Sequence, residues 1–389
     1  HMKTTAQPGS TWPSELTIRE DPVSGATVRQ LTNYKAHSSH NYFTYPGWYD
    51  DGRKLVIISD RDNRTNLLGV DLDGGEMTQL TGSGPESGVG GFCKNPVREE
   101  IYFKHGRALK ALDLETLQTR HLFTYPEGYN PGGADVTADG RFVVTGCSED
   151  LSDQFQVDLG HGYIGFDEMW AAKPHSLILK VPVDGGEGQR VFDEQCWLSH
   201  FNTSPKFPDI MTFCHEGPWN KVDNRIWGLN LDTGEHWKIR PTDDEEAVGH
   251  EYWMADGEHI GYHGSNAEGG IYGSIRFDNT EHVEAPFSGH CWHFHSQSLD
   301  LVVGDGSSEE PYLLAWRFRK GVFEGPKVLA WHRGSFHTQR VHVHPCVHAG
   351  GSKVLYTADA KGYGQVCVVD VPAWDDLPDR EDVTRNKEV

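Results

Sequence analysis

Met77-Thr78-Gln79-Leu80-Thr81 repeats a run that has already occurred once, as Val28-Arg29-Gln30-Leu31-Thr32. The later copy closes a unit that opens at Tyr45-Pro46-Gly47-Trp48 and turns at Asp50-Asp51-Gly52. It then runs through Lys54 to Ser59, a polar loop, Asn66 to Leu72, the turn Asp73-Gly74-Gly75 and Glu76 to Leu80. Apolar, β-branched runs punctuated by Asp-Gly and Gly-Gly turns read as a four-stranded antiparallel meander. The same order returns over 92–123, 133–183 and 201–240, and again from His250, from near His295 and from near His344. Seven such units at a period of roughly 45 to 50 residues predict an all-β chain, a seven-bladed β-propeller of four-stranded blades. The seventh unit ends with Gly364 to Val371 and lacks a clear outer strand. The early copy at 25–33 is predicted to supply it and close the ring, which removes the edges a repeat array would otherwise expose.

Around this frame the whole chain, 1–389, is read as one domain. Residues 1–24 are an N-terminal extension that starts with His1-Met2, a scar of tag removal, and 372–389 are a charged tail expected to fray. Between Glu149 and Lys173 lies an insertion with Phe155, Tyr163, Phe166, Met169 and Trp170, too aromatic for a plain linker and expected to form a partly ordered rim loop.

Composition excludes several functions. With 389 residues, a formal charge of -22 and a pI near 5.4, the chain offers no basic surface to nucleic acid or to anionic membranes. No apolar run approaches the ~20 residues of a membrane-spanning helix. A polyanionic ligand would have to be attracted locally, by individual cations. The seven cysteines are scattered singly and form no Cys-x-x-Cys pair, which argues against a disulfide framework or a thiolate zinc site and for a reducing, cytoplasmic setting.

Histidines carry the chemical signal. In Gln339-Arg340-Val341-His342-Val343-His344-Pro345, alternate side chains of an extended strand lie roughly 6.6 Å apart on one face, so His342 and His344 project together. A second His-x-His, His293-Phe294-His295, strengthens a metal-ligand reading, with His293 and His337 as rival ligands. When the units are registered on each other, His250, His295 and His344 all fall near the start of an innermost strand. His40 and His200 stand at similar starts.

His250-Glu251-Tyr252-Trp253, His295-Ser296 followed by Val302-Val303-Gly304-Asp305-Gly306, and Gln339-x-x-His342-x-His344-Pro345 together resemble the oligogalacturonate lyases of polysaccharide lyase family 22. Ser39-His40-Asn41-Tyr42-Phe43 and the segment Trp219 to Trp227 extend the likeness. The resemblance implies a seven-bladed propeller that holds manganese(II) through His295, Gln339, His342 and His344, with His250 as base and Arg225 beside it. It also implies β-elimination of an acidic, uronate-containing oligosaccharide, with His40 and His200 as candidates for binding its sugar hydroxyls. From the donor types alone zinc or nickel fits as well as manganese. Two alternatives stand beside this one: a lyase of the same design acting on another uronate linkage, such as glucuronate, and a non-catalytic propeller scaffold. Arg225 has a plainer reading too, as the ion-pair partner of Asp223 or Glu216.

Overall fold

The computed structural model describes residues 6–82 and 88–385; His1-Met2, read above as a scar, lies outside the described residues. Two compact units make up the chain, one of Ser87–Glu284 and one of His1–Glu86 with Ala285–Val389. Seven antiparallel sheets are the blades of a β-propeller.

Four of the sheets belong to Ser87–Glu284. The second sheet comprises Val89–Lys94, Glu100–His105, Ala108–Asp113 and Thr119–Thr124; the third comprises Tyr129–Val136, Phe142–Glu149, His175–Pro182 and Gln189–Gln195. The fourth runs Leu198–Thr203, Ile210–His215, Ile226–Asn230 and His236–Lys238, and the fifth Ala247–Trp253, His259–Asn266, Gly269–Arg276 and Val283–Pro286. Central strands such as Ile210–His215 are buried along nearly their whole length, because a blade is covered on both faces and so cannot alternate polar with apolar residues. Val144 and Ile178 of the third sheet pack in one cluster with Leu198, Met211, Phe213 and Leu229 of the fourth. The predicted third unit omitted Gln189–Gln195, whose polar sequence hides its role as an outer strand.

The expected rim loop is more ordered than its composition indicated. It forms a bridge between Asp158 and Ile164 and a helix, Phe166–Ala172. Leu151, Met169 and Trp197 are buried there with Phe155, Leu159, Phe166 and Trp170 around them, so the aromatic residues build a small core of their own.

In the other unit the first sheet runs through Lys54–Ser59, Asn66–Asp71 and Met77–Gln79, and the sixth through Phe294–Ser298, Leu301–Gly304, Tyr312–Arg319 and Val322–Trp331. The seventh joins Cys346–His348, Lys353–Ala358 and Gln365–Asp370 to Thr27–Gln30, with Val28 opposite Val369 and Arg29 opposite Val368. The duplicated Gln-Leu-Thr owes its recurrence to one local device. Gln79 Nε2 donates to the Thr81 carbonyl and Gln30 Nε2 to the Thr32 carbonyl, while Leu80 and Leu31 are buried beneath them. Thr32 then donates to Gln365 at 2.7 Å, which fixes the early segment on the late strand.

Two departures from expectation concern the ends of the chain. The N-terminal extension is structured from Thr11 onward: Thr11–Trp12 pairs with Met77–Gln79, and Thr17–Glu20 adds a fifth strand outside Thr27–Gln30. The charged tail does not fray over its described part. Leu377 is buried in the core, Trp374 lies under Arg317 and Lys327, and the short helix Arg380–Arg385 is tied to Glu310 through Arg380. Net charge concealed these few anchoring residues. Among the described residues no helix is long and apolar enough to cross a membrane.

Candidate functional site

A β-bulge recurs at the inner strand of successive sheets and aims the functional histidines. In the fourth sheet Ser199 pairs with Cys214 and Asn202 with Thr212, so three steps on one strand oppose two on the other. In the fifth, Gly249 pairs with His263 and Tyr252 with Gly261, the same three against two. The seventh repeats it: Thr357 N donates to Val343 O, and Cys346 pairs with Leu355. The extra residue is His200, His250 or His344 at the corresponding place, and all three have left-handed backbone, with φ of 52°, 50° and 44°. A left-handed non-glycine residue is strained, and such strain concentrates where a side chain must be re-aimed.

In the unit containing the sixth and seventh sheets, nitrogen atoms of His293, His342 and His344 lie within 4.8 Å of one another. Each ring is prepared to present a lone pair. Asp305, fully buried, accepts from His293 Nδ1 at 2.8 Å and from its backbone N–H at 2.8 Å, so the lone pair of this ring sits on Nε2. A carboxylate behind a histidine in this way orients it and raises its donor strength. His342 Nδ1 and His344 Nε2 are buried and have no hydrogen-bond partner among the described residues. Burial lowers the His342 ring to about 4 and the His344 ring well below its usual value, which keeps both neutral, as ligation requires. Three buried, converging imidazoles with two orphaned nitrogens fit a divalent cation. Gln339 opens the turn Gln339–Val341 that leads directly into His342.

His295 stands outside that group, contrary to the ligand set the resemblance implied. Its Nδ1 accepts the Val347 N–H at 2.9 Å, so this ring ties the inner strands of the sixth and seventh sheets together. His293 converges with His342 and His344 instead. His40 is not a sugar contact either. Its Nε2 donates to the His344 carbonyl at 2.7 Å and its Nδ1 accepts from Thr357 at 2.7 Å, so a buried ring braces the strained backbone of His344. His337 is exposed. Trp292, next to His293, leaves 42% of its surface open with its ring 5.8 Å from that of His342.

The other unit gathers His200, His250 and Arg225. The rings of His200 and His250 are stacked at 6.3 Å, and His250 Nδ1 lies 3.0 Å from His263 Nε2. Trp219 packs against both His250 and His263 and lies under the Arg225 guanidinium. Arg225 is buried and donates through Nη1 to Glu216 at 2.9 Å, the ion pair its plainer reading allowed. Glu251, fully buried, sits 3.3 Å from His200 Nδ1 and 3.9 Å from Arg225 Nε. Burial alone would raise the Glu216 carboxyl; Arg225 and His200 beside it hold it below the usual range. His200, Cys214 and Glu216 also converge, but the arginine on Glu216 makes this a charge-paired nest and not a cation site. Gly249 makes the nest possible, since a Cβ there would meet Arg225 Nε at 2.7 Å and Trp219 Cζ2 at 2.8 Å.

His263, Glu251, Asp305 and Trp219 were not singled out from sequence. Asp305-Gly306 reads as a turn, which it is, with Gly306 at φ 59°, yet the same aspartate serves His293. His263 carries no sequence signal either, since it faces Gly249 only once the bulge is placed.

Comparison with known proteins identifies the family. The chain is 26% identical to the oligogalacturonide lyase of Pectobacterium atrosepticum, over 94% of this chain and 98% of the relative. It is 25% identical to the oligogalacturonate lyase of Dickeya dadantii, over 91% and 95%. A solved oligogalacturonate lyase in complex with manganese superposes with a TM-score of 0.85 at 26% identity, over 94% of this chain and 99% of the other. The lyase structure from Vibrio parahaemolyticus, at 24% identity and a TM-score of 0.83, shares the fold. The family model for oligogalacturonate lyase matches residues 9–374, and this chain belongs to the oligogalacturonate lyase family.

Proposed function

We propose that this protein is a metal-dependent lyase that cleaves oligogalacturonides by β-elimination, with His293, His342, His344 and Gln339 holding one divalent ion, manganese by its relatives' example. The observation that carries the reading is the convergence of three buried histidines, one of them backed by Asp305. Neutral nitrogen and amide donors leave a bound ion its full charge, which neutralises a uronate carboxylate and stabilises the negative charge that builds next to it.

His250 is the base in this reading. It removes the proton on carbon-5, the carbon bearing the carboxylate, and the carbon–oxygen bond at carbon-4 breaks to leave an unsaturated uronate. A positioned imidazole typically contributes about 10²–10⁴-fold. Arg225, locked by Glu216 and Trp219, supplies fixed positive charge toward the anionic substrate. His200 shares the stack with His250 and is assigned to substrate binding. A cytoplasmic location belongs to the same reading, because all seven cysteines are free and six of them are buried.

Incubation with oligogalacturonides and with glucuronate-containing oligosaccharides, read by the ultraviolet absorbance of unsaturated product, tests the substrate. Product from the galacturonate series alone is expected. Elemental analysis of wild type and of the His342→Ala/His344→Ala protein tests the metal, and an unchanged metal content would refute the ligand set. His250→Ala should retain fold and metal while losing most of kcat.

A further inference from the structure

We propose that His263 is a positioning residue for the base, a role that rests on the assignment of His250 as the proton acceptor. His250 Nδ1 and His263 Nε2 are 3.0 Å apart, and the two rings, with centroids 5.2 Å apart, both pack against Trp219. A histidine–histidine hydrogen bond holds one proton between two nitrogens, so each ring's tautomer dictates the other's. For His250 to receive a proton on Nε2, its own proton must sit on Nδ1. Nδ1–H then donates to His263 Nε2, which requires His263 to carry its proton on Nδ1. After the transfer, His250 is an imidazolium whose Nδ1–H still points at an acceptor, and the bond becomes charge-assisted.

The choice of a neutral acceptor has a chemical logic. A carboxylate in the place of His263 would favour the imidazolium form of His250, and an anionic substrate pushes the same way. The base would then meet its substrate already protonated. Imidazole aligns the ring without adding negative charge. The backbone supports the geometry: His263 lies on His259–Asn266 directly opposite Gly249, while His250 is the bulge residue that follows, so the bulge swings one ring over the other.

A substitution series at position 263 tests this, because the other ionisable groups around His250 stay constant: His200 in the stack, and Arg225 with Glu216 and Glu251 in the adjoining nest. His263→Leu removes the acceptor and should lower kcat roughly tenfold or more with little change in KM. His263→Gln keeps an acceptor oxygen and should recover most of that loss. His263→Glu should move the acid limb of the kcat/KM profile to higher pH, by on the order of one unit. Nitrogen-15 NMR of the histidine rings should report the Nδ1–H tautomer of His250 in wild type and in the Gln variant, and its loss in the Leu variant. Equal impairment of the Leu and Gln proteins, with an unshifted acid limb in the Glu protein, would reduce His263 to a packing residue. His250→Ala separates the two claims: if it retains turnover, the base assignment fails and this inference with it. If it is inactive while the 263 series shows no shift, the base stands and only the role of His263 falls.

Discussion

At the scale of single residues, Gly249 shows how much of the site depends on an absent side chain. A Cβ would stand 2.7 Å from Arg225 Nε and 2.8 Å from both Arg225 Cδ and Trp219 Cζ2, closer than packed atoms approach. Gly249→Ala should therefore displace Arg225 and lower kcat at least about tenfold, with an unchanged circular dichroism spectrum; full activity would show that the arginine's exact position is dispensable. Buried histidines set the response to acid. Burial lowers His40 and His332 from 6.5 to about 4 and His295 from 6.5 to about 3. Below pH 6.5 the unfolded chain takes up protons that the folded chain refuses. The stabilising contribution is thus complete above pH 6.5 and is lost as pH falls toward 3–4. Urea midpoints measured at intervals from pH 7 to pH 4 should fall steadily, with a shallower slope in His40→Asn; identical slopes would contradict the burial argument. Sequence spacing located His40, His293 and His295 without distinguishing their tasks. His293 and His295 share a face two residues apart, and only the fold shows that one meets His344 while the other accepts from Val347.

Elements explain why some of the register was legible and some was not. Runs such as Lys54–Ser59 and Ile210–His215 are bounded by turn residues, so their limits can be read from sequence. A bulge adds one residue without changing composition and leaves no such mark. His250 and His344 share one phase at the bulge, whereas His295, also near the start of its strand, pairs in register with Val303. The helix Phe166–Ala172 acts on the site at one remove. Trp170 packs over Gly217, whose positive φ of 146° lets the chain turn toward Trp219. Met169→Ala should cost about 2 kcal/mol of stability and loosen that turn, seen as faster amide exchange at 217–222 and reduced kcat. If exchange quickens only within 149–173, the insertion is structurally separate from the site.

For the whole molecule, protein and substrate carry charge of the same sign. A protein of net charge -22 repels an oligogalacturonide at long range, and the repulsion reaches ~30 Å at 0.01 M salt but only ~8 Å at 0.15 M. KM for the oligosaccharide should fall across that range while kcat stays constant. A steep rise in KM would mean that local cations dominate the encounter. The seven-fold repeat was the most legible feature of all, because Gln30 and Gln79 make the same hydrogen bond in both copies. The division of labour among the sheets was not, since it depends on cross-strand neighbours such as Gly249 and His263. The pairing of Arg29 with Asp370 spans 341 positions of the chain. At a synthesis rate of about 5–20 residues per second, the strands Thr17–Glu20 and Thr27–Gln30 leave the ribosome roughly 20–70 s before Gln365–Asp370 exists to receive them. During that interval the nascent chain carries an open adhesive edge at its leading end, with Val28 and Leu31 uncovered. Translation speed and holding chaperones, more than the stability of the finished protein, would then govern how many chains reach the native state.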